Sequence, residues 1–307
     1  MKNIQDIQGI FAAALTPLTA SHEIALDQFP PFLEFLASRG CHGALLFGTT
    51  GEGPSFSIEA RKALMQTASK WRESKPNFRL LAGVGTPSLD ETIHLTKSAF
   101  EIGMDAVLVL PPYYFRNVSD EGLFAWYQAI ITKAVPVGAP LFGYHIPKVT
   151  GVPLSLDLLA RLKEKFPDQF AGIKDSSADA ETAKALGDRF GKDLTIFNGT
   201  DPLFSTALEY GAAGCITALA NIISPYLRSI WDAYQAGEKD LSSQNKLSSI
   251  RSITDRYEPA PPLLKFLLAK GFGLPRWTVC PPLLPLTTEK GNTVWEELNT
   301  LPFDWRT

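Results

Sequence analysis

The chain has 307 residues, 45% of them hydrophobic, and 29 Lys and Arg against 32 Asp and Glu give a formal net charge of −3. That near balance offers no electrostatic footing for nucleic acid or an anionic membrane, and no apolar run is long enough to span a bilayer. The length suits either two ordinary domains or one large α/β barrel.

Short apolar runs recur along the chain at residues 9–15, 43–47, 79–84, 106–110, 140–144, 171–174, 194–198 and 214–217. Most are continuous Val/Ile/Leu/Ala/Phe stretches, as expected of parallel strands buried on both faces. Amphipathic stretches separate them. Ala60, Ala63, Leu64, Thr67, Ala68 and Trp71 recur at helical spacing, as do Leu123, Phe124, Tyr127, Ile130, Ile131 and Ala134. Ser88-Leu89-Asp90-Glu91 has the spacing of a capping box. Further helices are predicted over 26–38, 156–165, 178–190, 202–210 and 222–236. Eight strands, each followed by a helix, predict a (β/α)8 TIM barrel over residues 1–236. No GxGxxG follows the first strand, which weakens an open dinucleotide-binding sheet. Residues 237–307 carry helical stretches and proline clusters without a convincing strand. They predict a C-terminal helical extension of about three helices packed on the barrel.

Three cysteines, Cys41, Cys215 and Cys280, are scattered and form no CxxC. The opening residues Met1-Lys2-Asn3-Ile4-Gln5-Asp6 lack the apolar core of a secretory leader. Both features point to a cytoplasmic protein without disulfides. The four histidines are dispersed with no HxxxH pair, so no metal is expected.

In a barrel, the C-terminal strand ends build the site. The second strand leads into Gly48-Thr49-Thr50-Gly51-Glu52-Gly53, whose hydroxyls and amides suit a carboxylate. The fourth leads into Pro111-Pro112-Tyr113-Tyr114, and the fifth ends in Gly143-Tyr144-His145-Ile146-Pro147. The sixth ends in Gly172-Ile173-Lys174-Asp175, the seventh in Asn198-Gly199-Thr200-Asp201, and the eighth carries Ile216. A lysine ending an apolar strand is costly to bury as a cation. Burial favours its neutral amine, the nucleophile that condenses with a carbonyl. Glu52 reads as a charge favourable at the next helix N-terminus. Asp175 reads as an orienting partner of Lys174 or an N-cap, and Asp201 as a helix-start residue.

Taken in order, Gly48-Thr49-Thr50-Gly51-Glu52, Pro112-Tyr113-Tyr114, Tyr144-His145-Ile146-Pro147 with Thr150-Gly151, and Gly172-Ile173-Lys174-Asp175 resemble the class I, pyruvate-dependent aldolases. That family includes dihydrodipicolinate synthase and N-acetylneuraminate lyase, and the resemblance covers nearly the whole chain. It implies that Lys174 forms a Schiff base and that Tyr144 shuttles protons with Thr49 and Tyr114, all without a cofactor. Thr50 would bind the pyruvate carboxylate, Ile216 would offer a backbone contact, and Gly199 would lie near the substrate. His145 stands where the best-known members carry asparagine, and it reads either as a partner of a substrate hydroxyl or as a satisfied neighbour of Tyr144. Tyr114 would reach a neighbouring subunit's site, implying a homo-oligomer, a dimer or a tetramer.

The sequence departs from the synthases at Val149. They place an arginine there, in a Ser-Arg-Thr-Gly segment, to hold a carboxylate of the incoming aldehyde. Valine cannot make that bidentate pair. The departure favours a 2-keto-3-deoxy sugar acid or 4-hydroxy-2-oxo acid as substrate over condensation with aspartate semialdehyde. Lys148 and Arg116 are the nearby cations. Two other readings stand beside this one: a metal-dependent barrel lyase, opposed by the scattered histidines, and a barrel that senses a 2-keto acid without turnover, opposed by the presence of Tyr144.

Overall fold

The computed structural model describes residues 7–306. The leader-free start expected at residues 1–6 lies outside the described residues. Eight strands, β1 (Gly9–Ala13), β2 (Gly43–Leu46), β3 (Arg79–Gly83), β4 (Ala106–Val109), β5 (Leu141–His145), β6 (Phe170–Asp175), β7 (Thr195–Asn198) and β8 (Gly214–Thr217), close into one parallel barrel. β8 returns to pair with β1, so no strand edge is left unpaired.

The helices between them are α1 (Phe29–Ser38), α2 (Ile58–Arg72), α3 (Leu89–Ile102), α4 (Asp120–Ala134), the one-turn α5 (Pro147–Thr150), α6 (Leu156–Lys165), α7 (Ala180–Phe190), α8 (Phe204–Glu209) and α9 (Ala220–Gln235). Serine hydroxyls open several of them by accepting an amide three residues on: Ser57 opens α2, Ser88 α3, Ser119 α4 and Ser155 α6. The Ser88 cap is the one its spacing predicts. The last of these helices is not the unbroken rod expected over 222–236. Ile223 is non-helical within α9, just before Pro225, which lacks a donor and crowds the preceding turn. Beyond the barrel run α10 (Leu241–Thr254), α11 (Ala260–Phe272) and α12 (Thr288–Asn299), the three helices expected. No helix among the described residues is long and apolar enough to cross a membrane.

Strand alternation divides the buried apolar residues into two clusters. Ile10, Ala12, Ala44, Leu80, Val107 and Ile173 face the helices. Phe11, Leu45, Leu81, Leu108, Phe142, Tyr144, Phe197 and Ile216 fill the barrel interior. There the Phe197 ring stands edge-on to Phe11 at 5.4 Å and to Phe142 at 5.6 Å, plugging the barrel beneath its C-terminal mouth.

Candidate active site

β6 aims Lys174 by means of one extra residue. Leu141 of β5 pairs with Phe170, yet Phe142 pairs with Gly172, so Ala171 has no counterpart. From there the register runs evenly: Gly143 beside Ile173, Tyr144 beside Lys174, His145 beside Asp175. Strict alternation from Ala171, an interior residue, would turn Lys174 outward. The inserted residue reverses the parity, as β-bulges do near active sites.

Lys174 therefore lies in the interior beside Tyr144. It is only 3% exposed, its Nζ is 3.2 Å from the Tyr144 hydroxyl, and it stands 4.3 Å from the ring centroid. Burial alone would push the Tyr144 phenol up. The Lys174 charge and hydrogen bonds from Thr49, Lys174 and Ser176 outweigh it and hold the phenol below the ordinary tyrosine value. Both conditions suit a proton carrier: a hydroxyl whose anion is stabilised, next to an amine that must lose a proton to attack.

Thr49 is exposed in the mouth, while Thr50 is buried. The turn holding them closes through the Glu52 amide on the Thr49 carbonyl and the Gly53 amide on the Gly48 carbonyl, each 3.2 Å. Thr16 Oγ1 donates to the Gly51 carbonyl at 2.7 Å and ties the turn to the end of β1. Ile216 is fully buried in the interior, paired with Phe11 across β8 and β1. Gly199 donates its amide to the Asp175 carbonyl at 2.7 Å. A Cβ at Gly199 would come within 1.9 Å of Ser176 Oγ, so its small size makes room for the hydroxyl that reaches Tyr144.

Ser176 escaped the sequence reading. It follows the strand, where periodicity carries no signal, and its role depends on Gly199 from the next strand.

Of the two readings of His145, the geometry favours the satisfied neighbour over the substrate partner. The residue follows Tyr144 on the strand and so faces the opposite way, toward α6 and α7. Its Nδ1 accepts the Leu154 amide at 3.0 Å, and it lines a shallow cavity with Leu154, Leu156, Ile173, Thr182 and Leu186. The structure does not bring it to Lys174. Burial lowers its pKa, against the pull of Asp175.

Tyr114 does not join the cluster within one chain. It stands 77% exposed after β4, edge-on to Phe115 at 5.3 Å, with no hydrogen bond among the described residues. Val149 is 55% exposed on α5. Arg116 lies against the end of that turn: a Cβ on Gly151 would meet its Cδ at 2.8 Å.

A profile of the Dihydrodipicolinate synthetase family matches residues 6–301. The chain belongs to this family. It is 38% identical over 284 residues to a DapA-like lyase of Chloroflexus aurantiacus, spanning 92% of this chain and 93% of that one. It is 30% identical over 283 residues to the 4-hydroxy-tetrahydrodipicolinate synthase of Bartonella bacilliformis, spanning 91% and 93%. The dihydrodipicolinate synthase DapA-2 of Bacillus anthracis superposes with a TM-score of 0.87 at 28% identity, covering 96% of this chain and 99% of that one. The protein is an enzyme of the lyase class.

Of three acidic residues in this member of the dihydrodipicolinate synthetase family, Glu52 and Asp175 take partners that their simplest sequence reading does not name, while Asp201 keeps to its reading. Glu52 stands at the N-cap position of a short 3-10 turn, Gly53–Ser55, but its side chain does not cap it; the carboxylate meets Lys265 of α11 at 2.6 Å. Asp175 is not an N-cap. It accepts from the Ser177 amide and hydroxyl at 3.0 Å, and Asp179 caps α7 instead. Asp201 does begin a short 3-10 turn, and it also pairs with Arg251 of α10 at 3.2 Å.

Proposed function

We propose that this lyase is a class I aldolase that reversibly cleaves a 2-keto acid into pyruvate and an aldehyde through a Schiff base on Lys174. The observation that carries the reading is the buried pair of Lys174 Nζ and the Tyr144 hydroxyl, 3.2 Å apart at the C-terminal end of the barrel. Neutral Lys174 attacks the keto carbon while the carbonyl pair moves to oxygen, and Tyr144 carries the proton that the new ammonium nitrogen sheds to that oxygen, giving a neutral carbinolamine. Its hydroxyl leaves as water on one further proton, giving a protonated imine. As the C3–C4 bond breaks, its electrons flow to the imine nitrogen and form an enamine. The Tyr144 phenolate takes the C4 hydroxyl proton as the aldehyde departs. Protonation at C3 and hydrolysis of the imine release pyruvate and restore Lys174.

Thr49 serves Tyr144 as a relay, and Thr50 with the turn amides holds the carboxylate. Among the described residues no acceptor takes the amides of Thr49, Thr50 and Gly51, which supports that role. Ile216 and Gly199 shape the pyruvate end. The exposure of Tyr114 supports its insertion into the site of a second copy, in a cytoplasmic homo-oligomer, a dimer or tetramer. Val149 favours an aldehyde half bearing hydroxyls, as in a 2-keto-3-deoxy sugar acid or a 4-hydroxy-2-oxo acid. One observation favours the second reading, condensation of pyruvate with aspartate semialdehyde: the Arg116 side chain lies against Gly151 at the end of the turn that carries Val149, which supports a cation near that position.

Borohydride reduction in the presence of pyruvate, followed by peptide mass mapping, tests the mechanism. The expected adduct is on Lys174. An adduct on another lysine, or none, overturns it.

A further inference from the structure

Lys265 and Glu52 are the most deeply buried ion pair in the described residues, with side chains 1% and 0% exposed. Lys265 Nζ donates to Glu52 Oε1 at 2.6 Å and to the Thr278 carbonyl at 2.6 Å. The second carboxylate oxygen of Glu52 accepts the Cys280 amide at 2.7 Å. Two bonds thus join the segment beyond the barrel to a residue two positions after Thr50, and the third, from Lys265 to Thr278, ties α11 to the stretch that carries Cys280. Glu52 itself is left-handed, with φ 55° and ψ 30°, a conformation a non-glycine residue holds only where its surroundings dictate it. The same turn is braced next door by the Arg61 guanidinium on the Gly53 carbonyl.

A buried ion pair is poor at adding stability, because desolvation offsets most of the attraction. Its geometric consequence is more specific. It fixes the backbone of the one turn whose amides and hydroxyls face the keto-acid end of the site. We infer that Lys265, acting through Glu52, is a positioning residue for the carboxylate-binding turn, which makes α11 part of the substrate-binding apparatus. Neither residue touches the reacting atoms. The inference rests on the reading of Thr49-Thr50 as the carboxylate site.

The test is the pyruvate concentration that half-saturates borohydride-trapped adduct at Lys174, measured on full-length Glu52→Gln and on Glu52→Gln/Lys265→Met. The single variant keeps shape and acceptor; the double removes both charges, so neither is left buried alone. Asp105→Asn, which breaks the partly buried pair with Arg72 at the opposite end of the barrel, controls for lost stability. Half-saturation should rise by about tenfold or more in both Glu52 variants while adduct at saturating pyruvate stays near completion, the pattern of weakened binding with chemistry intact. It should not move in Asp105→Asn. Unchanged half-saturation in the Glu52 variants overturns the inference, as does an equal rise in the control. Failure of both Glu52 variants to fold, judged by circular dichroism, also overturns it, because the pair is then a stabilising element. Absence of adduct in the wild type is a different failure. It removes the Schiff-base reading, and the inference falls with it.

Discussion

Gly172 and Thr195 stand so close across β6 and β7 that a Cβ on Gly172 would lie 1.8 Å from the Thr195 carbonyl oxygen. The contact falls just after the extra residue Ala171, two positions before Lys174. Glycine is therefore required where the strand changes parity and turns the lysine inward. Gly172→Ala must push β6 off β7 or undo the insertion. Overpacking of this kind costs about 1–3 kcal/mol, and misplacing a nucleophile by about 1 Å can cost about 100-fold in rate. The variant should lose several degrees in Tm and form pyruvyl adduct on Lys174 far more slowly. A normal trapping rate would show that the parity change does not depend on this glycine.

Lys174→Ala should abolish adduct formation and reduce turnover by orders of magnitude, with little change in circular dichroism. Lys174→Arg should not restore it, since a guanidinium stays protonated and has no lone pair to offer. Measurable turnover by the arginine variant would argue that the buried cation matters as a charge and not as a nucleophile.

Tyr144 sets a pH dependence. In the proposed mechanism it accepts a proton as phenolate, so kcat/KM should rise with pH through its pKa. Burial raises that pKa, but Lys174 and the bonds from Thr49, Lys174 and Ser176 bring it below the ordinary value. Ser176→Ala removes one of those bonds, so the rising limb should move to higher pH. The linkage has a defined sign. A phenol depressed in the folded state adds stability above its unfolded pKa, and that stability is lost as pH falls through the folded pKa. On this account wild type and Ser176→Ala should differ in Tm in alkaline buffer and converge at neutral pH. A limb that stays in place would remove Ser176 from the relay.

Much of this was legible in the sequence because it is local. Continuous apolar runs mark each of the eight strands within a residue or two at most ends. Serines mark helix starts, and glycine-rich or lysine-bearing segments mark strand ends. What stayed hidden is pairwise and distant. The extra residue at Ala171 appears only when β6 is laid beside β5. His145 looked like a site residue because it adjoins Tyr144, but adjacency in a strand places side chains on opposite faces. The partners of Glu52 lie 213 and 228 residues away, in a segment with no motif of its own. The role proposed for Tyr114 rests on a second copy of the chain.

The cysteines offer a test of burial independent of the site. Cys41 is fully enclosed, and burial pushes its thiol up to about 12 against smaller opposing effects from Ser224, Ala12 and Arg39. Cys215 is raised well above the ordinary value by burial first and by the Asp201 charge second. The thiolate is the reactive form, so neither should react with a disulfide reagent at pH 8. Cys280 is only partly enclosed and should be the one thiol titrated in the native protein, with all three appearing in denaturant. Native labelling of Cys41 would indicate that the packing of α1 and α9 around it opens readily.

In the proposed reading the choice of aldehyde turns on Val149, which is exposed on α5, the turn whose closing Gly151 lies against the Arg116 side chain. Valine offers a carboxylate nothing, whereas an arginine there would add charge-assisted, bidentate hydrogen bonds. Such bonds contribute about 1.5–3 kcal/mol, so Val149→Arg should raise kcat/KM for aspartate semialdehyde by about 10- to 100-fold. It should lower kcat/KM for a polyhydroxylated aldehyde, because the longer side chain fills space that the hydroxyls need. The adduct formed with pyruvate alone should be unaffected, since the change lies at the other end of the site. The decisive comparison is with the wild type. If the wild type already condenses aspartate semialdehyde efficiently and Val149→Arg adds nothing, Arg116 supplies the missing cation. The Arg116→Ala variant should then lose that activity, and the hydroxylated-aldehyde reading fails.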